Sequence, residues 1–307
     1  MLNIEQLRMF VETVDTGSFS ACARKLGKVQ SAVSQGIANL EVELGTELFD
    51  RSTRKPSLTS EGEQLLAHAK AVIQQALELN SAAEALGRQE ESGLSLALDN
   101  ALLMPSFTKI LTAFGEKFPA TAIEIITVAG TDVAQRIKSG RADIGLMFSG
   151  GSLRNDVDVC YIGSLPFYAV CHKAHPLSQL KRVRAVDLLP HRQIVQRGES
   201  GEVSEQNSLM SANAWWANSI DTIMYLVSQG IGWSYLPAHY VLTNLEQKAF
   251  TILPVVFDHK AWNTPVEIVT PKNKGKGPAM TWLYTELKTL LDDNTKSENF
   301  FVSAAKN

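Results

Sequence analysis

Four polar side chains share one face of a predicted helix that begins near residue 30. They are Gln30, Ser31, Ser34 and Gln35. Val33, Ile37 and Leu40 form the apolar stripe of this helix and turn the four side chains outward. A glutamine amide can pair with N6 and N7 of adenine, and a serine hydroxyl can bond to either base type. The pattern therefore predicts a helix that reads base edges in the major groove of DNA.

Two arginines lie in a loop behind this helix. Arg51 and Arg54 fall between Leu48 and Thr59, a stretch that predicts a short two-stranded wing closed around Pro56. Cationic side chains in such a loop are suited to phosphate oxygens. The chain carries a net charge of −3, which argues against a protein that coats nucleic acid indiscriminately. We therefore expect local basic patches, rather than the overall charge, to meet DNA.

A helix-turn-helix is the element that would position the recognition face. Ser18 and Ser20 are candidate N-caps of its first helix, which ends at Gly27. Ala23 supplies the small side chain that close packing of the two helices requires. Another helix is predicted over about residues 3–15. The competing interpretation is a helical hairpin that serves only as core.

The stretch from residue 18 to residue 62 resembles the N-terminal winged helix-turn-helix of the LysR-type transcriptional regulators. The resemblance lies at residues 18–27, 30–34, 37, 40–41, 44–45, 48–49, 51, 54, 58–59 and 61–62. It implies that residues 1–58 form the DNA-binding domain of a sequence-specific regulator, with base and phosphate contacts at the positions named above. It also implies a homotetramer built from two dimers. Gln35 departs from the pattern, because many relatives carry a basic residue there.

A long linker helix is predicted over residues 59–87. Apolar residues recur in it at spacings of 4, 3, 4, 3, 4 and 3. They are Leu65, Ala69, Val72, Ala76, Leu79, Ala83 and Leu86. This periodicity is typical of the seam between two paired helices. We therefore expect this helix to dimerise the chain, and the polar residues 88–91 to form a hinge after it.

Strands and helices alternate over residues 92–293, which predicts a mostly parallel α/β sheet. The sequence AHPL at residues 174–177, and VSQGIG at residues 227–232 followed by Leu236-Pro237, resemble the effector domain of the same family. The expected fold class is α/β plus all-α. It comprises an N-terminal winged helix-turn-helix, a long linker helix and a C-terminal two-lobed α/β domain like a periplasmic binding protein. Residues 294–307 are expected to be a frayed tail.

Polar residues follow the predicted strands at the edge where ligands bind in parallel α/β sheets. They are Asp99, Asn100, Thr131, Ser149, Gln196 and Arg197. Thr131 is expected at the N-cap of its helix, and the resemblance implies ligand-contacting hydroxyls near it and near Asp99. We expect a small-molecule effector with an amine, amide or hydroxyls toward Asp99, and any anionic group toward Thr131 or Arg197. In the competing interpretation Asp99 only caps its own helix.

Trp215 and Trp216 are candidate cleft aromatics, although core packing is expected for at least one of them.

Several classes of function lack their sequence motifs. The chain contains no HExxH, GxSxG or P-loop motif, so we expect neither an enzyme nor a metal or cofactor site. No apolar stretch reaches the roughly 18–20 residues of a membrane helix, and no signal peptide pattern is present, so a cytoplasmic protein without a membrane partner is expected. An alternative function is redox sensing by Cys160 and Cys171, although nothing in the sequence shows a basic, thiolate-stabilising environment around them.

Overall fold

The computed structural model describes residues 2–52, 56–149, 156–199, 201, 209–246, 250–257, 261–272 and 275–292. Its contacts divide the chain into two compact units, Met1–Arg88 and Gln89–Asn307. None of the helices in the described part of the chain is long and apolar enough to cross a membrane.

The first unit contains four helices and a two-stranded wing among its described residues. The elements are α1 (Ile4–Thr16), α2 (Phe19–Leu26), α3 (Gln30–Leu44), β1 (Phe49–Asp50), β2 (Ser57–Leu58) and α4 (Ser60–Gly87). β1 and β2 pair in antiparallel fashion, with Phe49 opposite Leu58. The order of these elements is the one predicted from the sequence for a winged helix-turn-helix and a linker helix.

Capping and close packing explain how the helix-turn-helix forms. The Ser18 hydroxyl accepts a hydrogen bond from the Ala21 amide and so caps α2, whereas Ser20 lies inside that helix. Gly27 ends α2 in the left-handed conformation. Gly36 weakens α3 as an isolated helix, but a Cβ there would overlap the Met9 sulfur, so any larger residue would require the Met9 side chain to move where α3 crosses α1.

The linker helix α4 has one apolar side, and only the first part of that side packs against the rest of the first unit. Leu65 and Ala69 pack with the buried core of the helix-turn-helix, which includes Phe10, Ile37 and Leu48. Farther along the seam, three apolar side chains are exposed. They are Val72, Leu79 and Leu86. The N-terminal third of the predicted seam is therefore used within the chain, and the rest is left uncovered.

The second unit is built on a nine-stranded sheet. Its strands are β3 (Gly93–Asp99), β4 (Ala122–Val128), β5 (Ile144–Phe148), β6 (Val157–His172), β7 (Gln193–Gln196), β8 (Ala214–Ala217), β9 (Trp233–Pro237), β10 (Phe250–Ile252) and β11 (Trp262–Pro271). Its helices are α5 (Pro105–Lys117), α6 (Gly130–Lys138), α7 (Ala185–Leu188), α8 (Ile220–Ser228), α9 (Ala238–Glu246) and α10 (Pro278–Leu287). The sheet order is β4-β3-β5-β11-β6-β9-β7-β8, with β10 paired to β6.

Two groups of parallel strands define two lobes within this sheet. β3 pairs in parallel with β4 and β5, and with α5 and α6 these strands form the first lobe. β7 pairs in parallel with β8 and β9, and with α8 and α9 they form the second lobe. The long antiparallel strands β6 and β11 run between the lobes. The carboxyl ends of β3 and β7 therefore bring residues from both lobes to one junction, which we call the interlobe junction.

Two local predictions differ from the structure. α6 begins at Gly130 with Ala129 as its N-cap, so Thr131 lies in the first turn rather than at the cap. Glu91, expected in a hinge, instead accepts hydrogen bonds from the Ala279 and Met280 amides at the start of α10, at 3.0 and 3.1 Å. Its carboxylate satisfies backbone donors that the first turn of a helix leaves unpaired. Glu91 is therefore anchored within the second unit.

Candidate functional site

The predicted recognition face lies on α3 and is accessible. Gln30, Ser31 and Gln35 are exposed and Ser34 is half-buried, while Val33 beneath them is fully buried. The Gln35 amide donates to the Asn39 side chain at 2.9 Å, one helical turn later. The structure therefore brings the four side chains together on one surface of the helix, as the sequence pattern predicts.

The wing is held against α3 by a carboxylate that sequence reasoning missed. Glu41 is mostly buried and accepts hydrogen bonds from the Leu48 and Phe49 amides at 2.9 and 3.2 Å. The same carboxylate pairs with Arg51 at 2.6 Å. Arg51, predicted to contact phosphate, is thus positioned by a charge-assisted pair and keeps about half of its side chain exposed (48%). Arg54 falls outside the described residues.

The basic residues beside the turn are also paired within the chain. Lys25 contacts Glu12 and Lys28 contacts Glu5, each at 2.6 Å. The Lys28 ammonium lowers the pKa of the Glu5 carboxyl, and Glu12 raises the pKa of Lys25. Glu12 and Glu5 therefore partly neutralise the positive charge beside the turn.

Asp99 lies at the interlobe junction with no exposed surface. One carboxylate oxygen accepts from the Ala101 amide at 2.9 Å, and the other accepts from the Gly130 amide at the start of α6, at 2.8 Å. Burial raises the pKa of Asp99 to about 6, and these two amides and Gln196 oppose that rise only partly. Asp99 does cap the short helix Asn100–Leu102, as the competing interpretation proposed, but it also anchors α6.

Asn100 joins the two lobes. Its Nδ2 donates to the Ser219 hydroxyl and to the Asp221 carboxylate, both at 2.9 Å, and its Oδ1 accepts from the Ile220 amide at 3.2 Å. The Tyr240 hydroxyl donates to its backbone carbonyl at 3.0 Å. These partners all lie on α8 and α9 or at the N-cap of α8. The amide of Asn100 is therefore committed to holding the first lobe against the second.

A second contact between the lobes surrounds Gly198. The Asp132 carboxylate accepts from the Glu199 amide at 2.8 Å, and Arg136 pairs with the Glu199 carboxylate at 3.0 Å. A Cβ at Gly198 would overlap the Thr131 hydroxyl and the Asp132 carboxylate. Only a glycine allows the segment after β7 to approach α6 this closely.

Not all of the other predicted effector residues lie at the junction. Gln196 is buried beside Asp99, and the Ser149 amide donates to the Pro265 carbonyl at 2.8 Å. Arg197 is exposed and turned away from the junction, because its Nε donates to the Gly201 carbonyl and its guanidinium lies over Trp216. The junction thus unites Asp99, Asn100, Thr131 and Gln196, but not the side chain of Arg197.

The two adjacent tryptophans are not core residues. Trp215 is 44% exposed and Trp216 is 49% exposed, on the edge strand β8. Arg192 lies over the Trp215 ring at 3.9 Å and Arg197 over the Trp216 ring at 5.4 Å. The expectation that at least one of them packs in the core is wrong, because both side chains lie on the strand at the edge of the sheet and keep nearly half of their surface exposed.

The candidate redox cysteines lie far apart on one strand. Cys160 and Cys171 both belong to β6, and the 11 positions between 160 and 171 span about 36 Å of extended chain. A disulfide needs Cα atoms within about 7 Å of each other. Burial also raises the pKa of the Cys171 thiol to about 12. This geometry opposes the redox alternative. Among the described residues, no three histidine, cysteine or acidic side chains group as metal ligands would.

The residues that sequence reasoning missed act through distant partners. Asp132, Gly198, Ser219, Asp221 and Tyr240 hold the junction, and Glu41 holds the wing. The sequence offered one signal for Asp132 and Asp221, since each is an acidic residue in the first turn of a predicted helix. It offered none for Gly198 or Tyr240.

Comparisons with known proteins agree with this architecture. A family described as bacterial regulatory helix-turn-helix protein, lysR family, matches residues 4–63, and one described as LysR substrate binding domain matches residues 87–292. The HTH-type transcriptional regulator AceR of Acinetobacter baumannii is 32% identical over 245 residues, which span 80% of this chain and 82% of AceR.

Solved structures share the fold. Full-length BenM is similar with a TM-score of 0.56 and 21% identity, covering 96% of this chain and 98% of BenM. Full-length CbnR complexed with its target DNA is similar with a TM-score of 0.50 and 17% identity, covering 94% of this chain and 100% of CbnR. With a helix-turn-helix in one unit and a two-lobed sheet in the other, the chain belongs to the LysR family of transcriptional regulators.

Proposed function

We propose that the protein binds a specific DNA sequence through α3 and that a small-molecule effector at the interlobe junction modulates this binding. The accessible row of Gln30, Ser31, Ser34 and Gln35 carries the first part of the proposal. The first turns of a recognition helix meet base edges in the major groove, and glutamine and serine supply hydrogen bonds there. Arg51 and the wing contact phosphate and fix the register of the helix.

The interlobe hydrogen bonds support effector control. Asn100 binds the α8 end of the second lobe, and Asp132 binds the Glu199 amide, so both contacts depend on how the lobes are arranged. A ligand that enters between the lobes and replaces these bonds binds one lobe arrangement more tightly than the other. Such a difference in affinity is the condition for shifting a conformational equilibrium.

The uncovered seam of α4 supports a dimer through the linker helix. Val72, Leu79 and Leu86 are 44%, 70% and 77% exposed and lie on one side of the helix. A second α4 packed along this seam buries them, as paired helices with a heptad repeat do. Two such dimers would form a tetramer whose DNA-binding units contact two half-sites.

A gel-shift titration tests the DNA-binding proposal with DNA from the region upstream of its own gene and with random DNA. Gln30→Ala is expected to lose discrimination between the two by about 1–3 kcal/mol, since one bidentate base contact disappears. Gln74→Ala is the matched control, because Gln74 is exposed on α4, away from α3, and its amide donates to Glu78 one turn later on the same helix. Equal discrimination by Gln30→Ala, the control and the wild type would show that α3 does not read the bases.

A further inference from the structure

The interlobe junction contains a buried negative charge without a positive partner. Asp99 has no exposed surface; its two oxygens accept from the backbone amides of Ala101 and Gly130, and the Gln196 side chain lies close enough to lower its pKa. No lysine, arginine or histidine in the described part of the chain lowers its pKa, which burial raises to about 6. A buried carboxylate is usually paired with a cation or protonated, so this site has an unmet preference for positive charge.

The charges around Asp99 strengthen that preference. Asp221 is exposed at the start of α8, and Asp132 is buried in the first turn of α6. The negative charges of Asp221 and Asp99 both act on the Tyr240 hydroxyl, whose pKa burial and these carboxylates raise to about 12. The nearby cations are engaged elsewhere, since Arg136 pairs with Glu199 and Arg197 lies over Trp216. The ionisable side chains closest to Asp99 are therefore mostly acidic.

Two polar atoms at the junction have no hydrogen bond of good geometry among the described residues. Gln196 is 93% buried, and although it lies near enough to Asp99 to lower that pKa, its Nε2 makes no well-aligned hydrogen bond there. The buried Oγ1 of Thr131, contributed by the other lobe, has none either. Buried polar atoms normally find partners. A 180° rotation of the Gln196 amide would present Oε1 in place of Nε2, so both side chains can accept hydrogen bonds from a ligand.

The amide that would otherwise attract an anion is already occupied. The N-terminus of a helix binds carboxylates and phosphates through its free amides. The Gly130 amide at the start of α6 donates to the Asp99 carboxylate, and the Glu199 amide of the other lobe donates to the Asp132 carboxylate. The chain therefore supplies its own anions at this place. A ligand carboxylate here would meet two fixed carboxylates and no free cation among the described residues.

We propose that the effector carries a cationic nitrogen group, a primary amine, amidine or guanidinium, which binds Asp99 and donates to Thr131 and Gln196. This inference rests on the proposed function, because it assumes that the interlobe junction is the effector site. Entry requires the lobes to separate at the Gly198 contact, after which Asp221 at the mouth attracts the cation. The ligand then holds both lobes through Thr131 and Gln196.

Matched probes that differ only in charge test the proposal. Benzamidine, benzamide and benzoate share one ring, and n-butylamine, butyramide and butyrate share one chain. Each is titrated calorimetrically, at millimolar concentrations, into the full-length protein. Only the two cations are expected to bind. Asp99→Asn should weaken benzamidine binding by at least about 30-fold, since it removes a buried charge partner, and Asp221→Asn by about 2- to 5-fold, since Asp221 is exposed.

Asp158→Asn is the control. Asp158 is exposed on β6 and lies opposite Thr270, at the end of the first lobe remote from the junction, so this variant should bind benzamidine like the wild type. Should Asp99→Asn fail to fold, the charge series on the wild type and the Asp221→Asn result decide the question. Binding of benzoate or butyrate as tightly as the cations, cation binding unchanged in Asp99→Asn, or no cation binding at all would overturn the proposal.

A gel shift with the same protein preparation distinguishes failure of the cationic-effector proposal from failure of the DNA-binding proposal. Intact binding of the upstream DNA together with anion-only binding in the calorimeter rejects the cationic effector and leaves the regulator proposal standing. Loss of specific DNA binding by the wild type rejects the regulator proposal itself, whatever the calorimeter shows.

Discussion

The buried carboxylate of Asp99 makes the stability of the second unit depend on pH in an unusual direction. The pKa of this group is raised from 3.8 to about 6 by folding. Between these two values the folded protein keeps a proton that the unfolded chain releases. The contribution of Asp99 is therefore fully favourable below about pH 3.8 and is lost as the pH rises through about 6.

The size of this effect follows from the two pKa values. At about 1.36 kcal/mol per pKa unit, the whole change amounts to about 3 kcal/mol, and about 1.4 kcal/mol of it falls between about pH 5 and pH 7.5. Asp99→Asn cannot ionise, so its free energy of unfolding lacks this dependence. The asparagine also replaces one acceptor by a donor, but that penalty is the same at every pH.

Urea unfolding followed by tryptophan fluorescence measures the effect in the full chain. All five tryptophans, at positions 215, 216, 233, 262 and 282, lie in the second unit, so the signal reports on that unit alone. The free energy of unfolding of the wild type should fall relative to that of Asp99→Asn by about 1.4 kcal/mol from about pH 5 to pH 7.5. Carboxyls with lowered pKa values, such as Asp187 at about 2, favour the folded state at higher pH and cancel in this difference.

The control Asp158→Asn should follow the pH dependence of the wild type. A difference between wild type and Asp99→Asn that stays constant with pH, or that grows in favour of the wild type as the pH rises, would refute the reasoning. Either result would mean that Asp99 is ionised at little cost in the folded protein.

Three further changes have expected outcomes. Glu41→Gln should destabilise the first unit by about 1–3 kcal/mol in thermal unfolding followed by circular dichroism of the helices, because it removes the charge paired with Arg51 and weakens the hydrogen bonds from two backbone amides. The control Glu47→Gln should melt like the wild type, and equal melting of the two variants would contradict the role of Glu41. Leu79→Asp should dissociate the proposed α4-paired dimer in analytical ultracentrifugation at a cost of several kcal/mol, whereas Asn80→Asp should not; an unchanged oligomer would remove the argument from the α4 seam. Gly198→Ala should push the lobes apart, because the added methyl group overpacks the contact at a cost of about 1–3 kcal/mol. Hydrogen exchange at the Glu199 amide should become faster, and unaltered exchange would show that the contact tolerates a side chain.

The sequence by itself determined the helices, the order of the elements and the family. Apolar spacing along α1, α3 and α4, the Ser18 cap and the Gly27 end all act within a few residues, so the local pattern is sufficient to predict them. The alternation of strands and helices likewise predicted the α/β sheet, but not that it is mixed: β6 and β11 pair with their neighbours in antiparallel fashion, so the sheet is not mostly parallel. The four positions on α3 proposed for DNA contact follow from the same periodicity, because a helix with one buried face has only one other face to present.

Only the tertiary structure decided what the polar residues of the junction do. Asn100 meets Asp221 at a separation of 121 residues, and Asp132 meets Glu199 at a separation of 67. Glu41 and Arg51 pair across the wing, and Cys160 and Cys171 are kept apart because a single extended strand carries both. The sequence predicted Asp99 as an effector residue or a helix cap, but its burial and its bond to the Gly130 amide depend on how β3, α6 and β7 assemble. Burial and hydrogen bonding of a side chain depend on residues that folding brings near it, and no local spacing records which residues those are.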